Sequence, residues 1–234
     1  MMAATAKANL PPSLVPLADV LPRQFANPAR AAAFARNWQS AAASAADADT
    51  VPCMLVAGVL EPFTHDGPCA GFAARLLALH KAEALGRSIQ RSEWAAARRA
   101  LLALDRDTLT PEAGATAQLC EAAAWPAATG SSALVEVLFA LKRIASLSMD
   151  DDWDQSRQGQ AESALEAIYE EAAETRAHGK TPDYKAIFHT CHPELAIGFE
   201  RNLDRSNRAF AQAGEDFAQA CLGALQHGTT ASTA

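Results

Sequence analysis

The densest run of side chains able to do chemistry is His189-Thr190-Cys191-His192, with His178 and Glu174 upstream of it. Zinc takes three or four thiolate, imidazole or carboxylate ligands converging at about 2.0–2.3 Å. Neighbours on a helix point apart, so His189, Cys191 and His192 supply two of these at most, and His178 or Glu174 would have to supply the rest. The spacing favours a helix–helix corner in which His192 caps a helix and Cys191 is buried, and no metal is expected there. A di-iron bundle wants paired Glu-x-x-His motifs. Here Glu174 and His178 stand at i and i+4, and His80 precedes Glu83 in the reverse order.

Glu162, Glu166, Glu170 and Glu174 recur at every fourth position, and His178 continues the series. Each step turns a helix by about 40°, so these residues form a slowly winding acidic stripe. Like charges at this spacing repel by roughly a few tenths of a kcal/mol, which a cation, a metal or a protein would offset. From Asp150 to His178 there are nine acids against two bases, and from Arg75 to Arg106 seven bases against three acids. Such segregation suits two solvated helix faces. The functional alternative is one half of an electrostatic interface, between these segments or with another protein.

Other reactive arrangements are weak. No glycine elbow presents a serine or cysteine nucleophile. Gly130-Ser131-Ser132 could hold an anion on free N–H groups but lacks the flanking glycines and lysine of a P-loop, so it reads as a helix cap. His65-Asp66-Gly67-Pro68 reads as a turn. No cofactor is expected.

The composition narrows the classes further. The 234 residues suffice for one large domain or two small ones, half of them are hydrophobic, and aromatics are sparse. A net charge of −7 argues against nucleic acid as a partner. Five scattered cysteines without a C-x-x-C spacing fit the reduced thiols of a cytoplasmic protein. The N-terminus has no apolar stretch of secretory length and no run is long enough to span a membrane, although a secreted effector with an uncleaved signal would read the same way.

The elements that would position these residues all read as helices. The stretch from Ser131 to Leu147 carries Leu134, Val135, Val137, Leu138, Phe139, Leu141, Ile144 and Leu147, apolar nearly all round, and is expected to be the central, covered helix, with Leu138 and Phe139 both in the core. Asn27-Pro28 is a start signal for a helix to about Ala46. Val51–Leu60 is a buried apolar run, more helix than strand. Helices follow over Cys69–Leu85 with Gly86 as a stop, from Ser92 as a cap, and from Thr110-Pro111 to Trp125-Pro126. Beyond the acidic run, a helix is expected over 154–178, a short one from Thr181-Pro182-Asp183 to Cys191, and a last one from Pro193 to Leu222, stopped by Gly223.

That last helix repeats Ala196, Phe199, Leu203, Ser206, Phe210, Ala213, Phe217 and Ala220 at alternating threes and fours, a heptad seam. Gly198 and Gly214 inside it each cost about 1 kcal/mol relative to alanine. The seam is expected to pack on the 154–178 helix, with its end around Phe217 and Ala220 completed by the N-terminal helices or by a partner.

The fold expected is therefore all-α: an irregular bundle of about seven or eight helices with a long C-terminal antiparallel hairpin. Residues 1–15 are expected to be disordered, 16–148 to form the bundle, 149–226 the hairpin and 227–234 a tail. The function expected is that of a non-catalytic bacterial interaction protein, an adaptor, secretion-associated or chaperone-like module. Glu162, Glu166, Glu170, Glu174, Phe210, Phe217 and Ala220 are its interaction candidates, with a protein partner or a second copy bound. The alternative is a metal-dependent helical enzyme using the His/Cys/Glu cluster of 174–192.

Overall fold

The computed structural model describes residues 10–45, 48–127, 132–147, 153–177 and 181–228. They are all-α, with no strand among them. We label the helices α1 (Leu17–Val20), α2 (Pro28–Ser44), α3 (Val51–Leu60), α4 (Ala70–Ala84), α5 (Arg91–Leu102), α6 (Pro111–Ala123), α7 (Ala133–Leu147), α8 (Gln155–Glu171), α9 (Ala173–Ala177), α10 (Tyr184–Cys191) and α11 (Pro193–Gly228).

Local chemistry sets most of these ends. Asn27 caps α2 by accepting from Ala29 and Arg30 N–H at 2.8 and 3.2 Å, with Pro28 at the first helical position. Thr110 Oγ1 caps α6 through Ala113 N–H, and Asp154 and Asp183 cap α8 and α10 in the same way. Gly86, at φ 73°, closes α4. Its N–H bonds back to the Glu83 carbonyl and that of Arg87 to the Ala82 carbonyl, the paired closure that favours glycine. Two expected ends differ. Helix α5 starts ahead of Ser92: Gln90 is its N-cap, and the Gln90 N–H donates to the Glu93 carboxylate at 3.0 Å. Helix α11 passes through Gly223 and runs to Gly228, because a glycine with helical neighbours weakens a helix without ending it.

The chain divides into two compact units: residues 1–145 with 210–234, and residues 146–209. The chain passes from the first unit to the second at 145/146 and returns within α11 at 209/210.

The first unit has one large core. Leu14, Leu17, Leu21, Phe34, Trp38, Val56, Leu60, Leu76, Trp94, Leu119, Leu134 and Leu138 are all buried in it, as are Phe217, Ala218, Cys221, Leu222 and Leu225 from α11. Leu10 and Leu14, expected in a disordered segment, belong to that core. Helix α7 is central as expected, but not on every side: Leu134, Val137 and Leu138 are buried, whereas Phe139 is 52% exposed. Phe139 reaches a shallow cleft of about 460 Å³ beside Trp125, whose ring is covered by the Arg98 guanidinium at 3.9 Å.

The second unit has a small core of Trp153, Ala161, Ile168, Phe188 and Ala196. Helix α8 contacts α10, and Phe199 on α11 meets Trp153 and Phe188 edge-on at 6.4 and 6.2 Å. A Cβ on Gly198 would overlap Cζ3 of the Trp153 ring. The glycine that looked costly in a helix is the place where the indole seats.

Candidate functional site

In the first unit, α3, α7 and α11 leave an open, apolar groove of about 620 Å³. Its walls are Met54, Leu55, Gly58, Val59 and Phe63 on one side and Leu141, Ile144 and Ala145 on another, and Ala213, Asp216, Phe217 and Ala220 of α11 complete it. The run Val51–Leu60 is apolar on every face, so a helix formed from it cannot bury all of itself. Cys53, Val56 and Leu60 go inward, and Met54 is left 54% exposed at the groove. Small residues at 58, 213 and 220 keep the space open. Asp216 is the charged residue of the lining, held by Gln212 Nε2 at 2.8 Å.

The expected interaction residues of α11 have different environments. Phe217 is buried in the unit's own core and forms part of the groove wall. Ala220 is exposed and lines the groove. Phe210 is at the surface, and the Lys142 ammonium sits over its ring at 4.1 Å. Lys142 itself is buried, donating to Gln24 Oε1 at 2.6 Å, and burial pulls its pKa below the ordinary lysine value.

Of the heptad seam in this half of the helix, Phe217 is buried but the seam is not the centre of the buried face. Gly214, Ala218, Cys221 and Leu225 are buried, with Phe217 and Leu222 beside them, while Ala220 is exposed. The buried stripe is displaced by one residue, about 100° around the helix. A straight helix drifts by about 20° per heptad from a strict seven-residue repeat, and the small side chains of Gly214, Ala218 and Cys221 admit the closest approach. Gln24 Oε1 lies only 2.6 Å from where a Cβ on Gly214 would stand.

The acidic stripe is solvent-facing at Glu162, Glu166 and Glu170. It does not continue along one regular helix, because α8 ends at Glu171 and a separate α9 begins at Ala173; the Glu174 side chain and all of His178 lie outside the described residues.

The helix–helix corner expected at 189–192 is present, with His192 the C-cap of α10 directly before Pro193 of α11, and an ion-pair cluster stands beside it. His189 Nε2 lies 3.0 Å from Glu200 Oε1 and Lys185 Nζ 2.8 Å from the same oxygen. The His189 hydrogen bond, then that of Lys185, holds the Glu200 carboxyl below the usual carboxylate range, and Glu200 in turn raises Lys185. Cys191 is exposed, not buried, and the His192 ring packs against Phe188 at 6.1 Å. Helical geometry is the reason: 189, 191 and 192 leave their backbone in three directions.

Among the described residues, three metal-capable side chains do converge elsewhere: Cys53, His80 and Glu83, with one potential ligand atom of each within 4.8 Å of the others. Cys53 lies in the first turn of α3, and His80 and Glu83 stand at i and i+3 near the end of α4. Cys53 Sγ donates to Glu83 Oε2 at 3.2 Å. His80 is fully buried, and its Nε2 is 2.7 Å from the Ala123 carbonyl at the end of α6. That contact makes Nε2 the donor, so Nδ1 carries the lone pair, and Nδ1 has no hydrogen-bond partner. Burial lowers the His80 pKa to about 4, the Ala123 hydrogen bond opposing it. The His80-x-x-Glu83 spacing was visible in the sequence; Cys53, brought in only by the packing of α3 on α4, was not.

The remaining thiols, Cys69, Cys120 and Cys221, are buried, and burial raises the pKa of Cys120 to about 12, which makes it inert as a nucleophile. No helix of the described residues is long and apolar enough to cross a membrane. No family model, curated protein or solved structure matches this chain.

Proposed function

We propose that this is a non-catalytic helical interaction protein, an adaptor or chaperone-like module whose α3–α7–α11 groove receives an apolar helical segment of a partner protein. The observation that carries this reading is the groove itself: about 620 Å³ lined almost wholly by apolar side chains, with Met54 exposed at its edge. Helix-in-groove binding needs an apolar trough that takes anchors at i, i+3 or i+4, and i+7. Methionine, unbranched and polarizable, adapts to such anchors. Each large apolar anchor fully removed from water contributes about 1.5–3 kcal/mol. Asp216 supplies a polar rim contact and favours a lysine or arginine beside the anchors. The cytoplasmic setting suggested by the five cysteines, none of them in a disulfide, belongs to the same reading.

A photo-crosslinking residue in place of Met54 tests this in cells, with one in place of Leu102, exposed away from the groove, as the control. Gly58→Lys, at a position where an added Cβ meets no atom within 4 Å, provides the block. The expected result is a discrete polypeptide, identified by mass spectrometry, cross-linked at position 54, absent from the control and lost in Gly58→Lys. A cross-link to a second copy of this chain would make the partner itself. Labelling no stronger at 54 than at 102, or unchanged by Gly58→Lys, would reject the groove as a docking site.

A further inference from the structure

We propose that Cys53, His80 and Glu83 form a binding site for one divalent metal ion of the zinc class. The three side chains come from two helices and converge within 4.8 Å. A single sulfur, a single imidazole and a single carboxylate make a mixed donor set that suits Zn²⁺ or Co²⁺, whereas Ca²⁺ and Mg²⁺ require several oxygens. His80 is oriented as metal-bound histidines are: its Nε2–H is held by the Ala123 carbonyl at 2.7 Å, its ring packs on Trp94 at 4.9 Å between centroids, and the unpartnered Nδ1 is left as the ligand atom.

Charge favours the same assignment. A buried ion must be compensated. When the cation binds, the Cys53 thiol releases its proton to solvent and the Cys53 Sγ···Glu83 hydrogen bond is exchanged for two metal bonds. Thiolate and carboxylate then carry two negative charges against the two positive charges of the metal, and His80 adds none. Cys53 and His80 are buried while Glu83 is only half-buried. The metal therefore reaches the site, and takes any fourth ligand from water, on the Glu83 side. The location is separate from the 174–192 cluster and uses a different face of α3 from the one that lines the groove.

The full chain, purified without a histidine tag and stripped with a chelator, is titrated with Co²⁺ and then Zn²⁺. The expected result is one equivalent of Co²⁺ bound with a thiolate-to-cobalt charge-transfer absorption in the near ultraviolet, displaced by Zn²⁺. Cys53→Ala should abolish that absorption, and Glu83→Gln should weaken affinity by about tenfold or more, since a lost ligand costs no less than a lost supporting contact. Cys191→Ala, which removes the exposed thiol, should change nothing. Absence of the absorption, its survival in Cys53→Ala, or its loss in Cys191→Ala would overturn the site. If Cys53→Ala does not fold by circular dichroism, Glu83→Gln decides: unchanged affinity in that variant also overturns it.

Discussion

At Gly159 and Gly198 the same added methyl group has opposite consequences. Gly159 is exposed on α8 and a Cβ there meets nothing within 4 Å, whereas at Gly198 it would overlap the Trp153 ring. Gly159→Ala should raise the stability of the second unit by up to about 1 kcal/mol through helix propensity alone. Gly198→Ala gains the same propensity but overpacks a buried indole, and should lower stability by about 1–3 kcal/mol. Denaturant midpoints of the two variants check this, with an altered tryptophan emission accompanying only Gly198→Ala. If both midpoints rise, Trp153 is not seated on that glycine. Lys142 teaches a similar lesson. In the sequence it is a cation well placed for a helix dipole, but in the fold it is buried, bonded to Gln24 and laid on Phe210. Neither role can be read from residue type, because both depend on what another segment brings to the site.

Helix α7 was legible as the centre of the core, but its circumference was not. Leu138 is fully buried and Phe139, its neighbour, is half exposed. Leu138→Ala should therefore cost about 2–5 kcal/mol and Phe139→Ala less than about 1 kcal/mol, as measured by thermal melting. Equal losses would mean that Phe139 is covered. Helix α11 makes the complementary point. Its C-terminal part supplies Phe217, Ala218, Cys221, Leu222 and Leu225 to the core of the first unit. A chain ending at Gln212 should consequently lose cooperative unfolding, seen as a broad melt and a collapsed near-ultraviolet circular dichroism signal. Retention of a sharp transition would show those residues to be dispensable. The seam in the sequence predicts that α11 packs; it does not predict which side, since a one-residue displacement of the buried stripe keeps the same spacing.

For the whole molecule, the charge balance leads to a direct expectation: with a net charge of −7, the protein should not retard a labelled DNA duplex at physiological salt, and a salt-sensitive shift would reveal a basic face strong enough to override that balance. How much of the molecule was fixed locally follows from the helix ends. Asn27-Pro28, Thr110-Pro111, Asp183 and Gly86 act on backbone groups within a few residues of themselves, so their helices and the all-α class follow from sequence alone. The metal-capable residues show the other limit. His189, Cys191 and His192 are adjacent in the chain and diverge in space, because a helix sends neighbours in different directions. Cys53 is distant from His80 and Glu83 in the chain and meets them, because α3 packs on α4. The groove has the same origin, built from three helices whose apolar faces are each only partly used. Sequence spacing determined which segments are helical and where they stop; tertiary packing decided which faces are spent on the core and which side chains converge, since those contacts join residues that no local period relates.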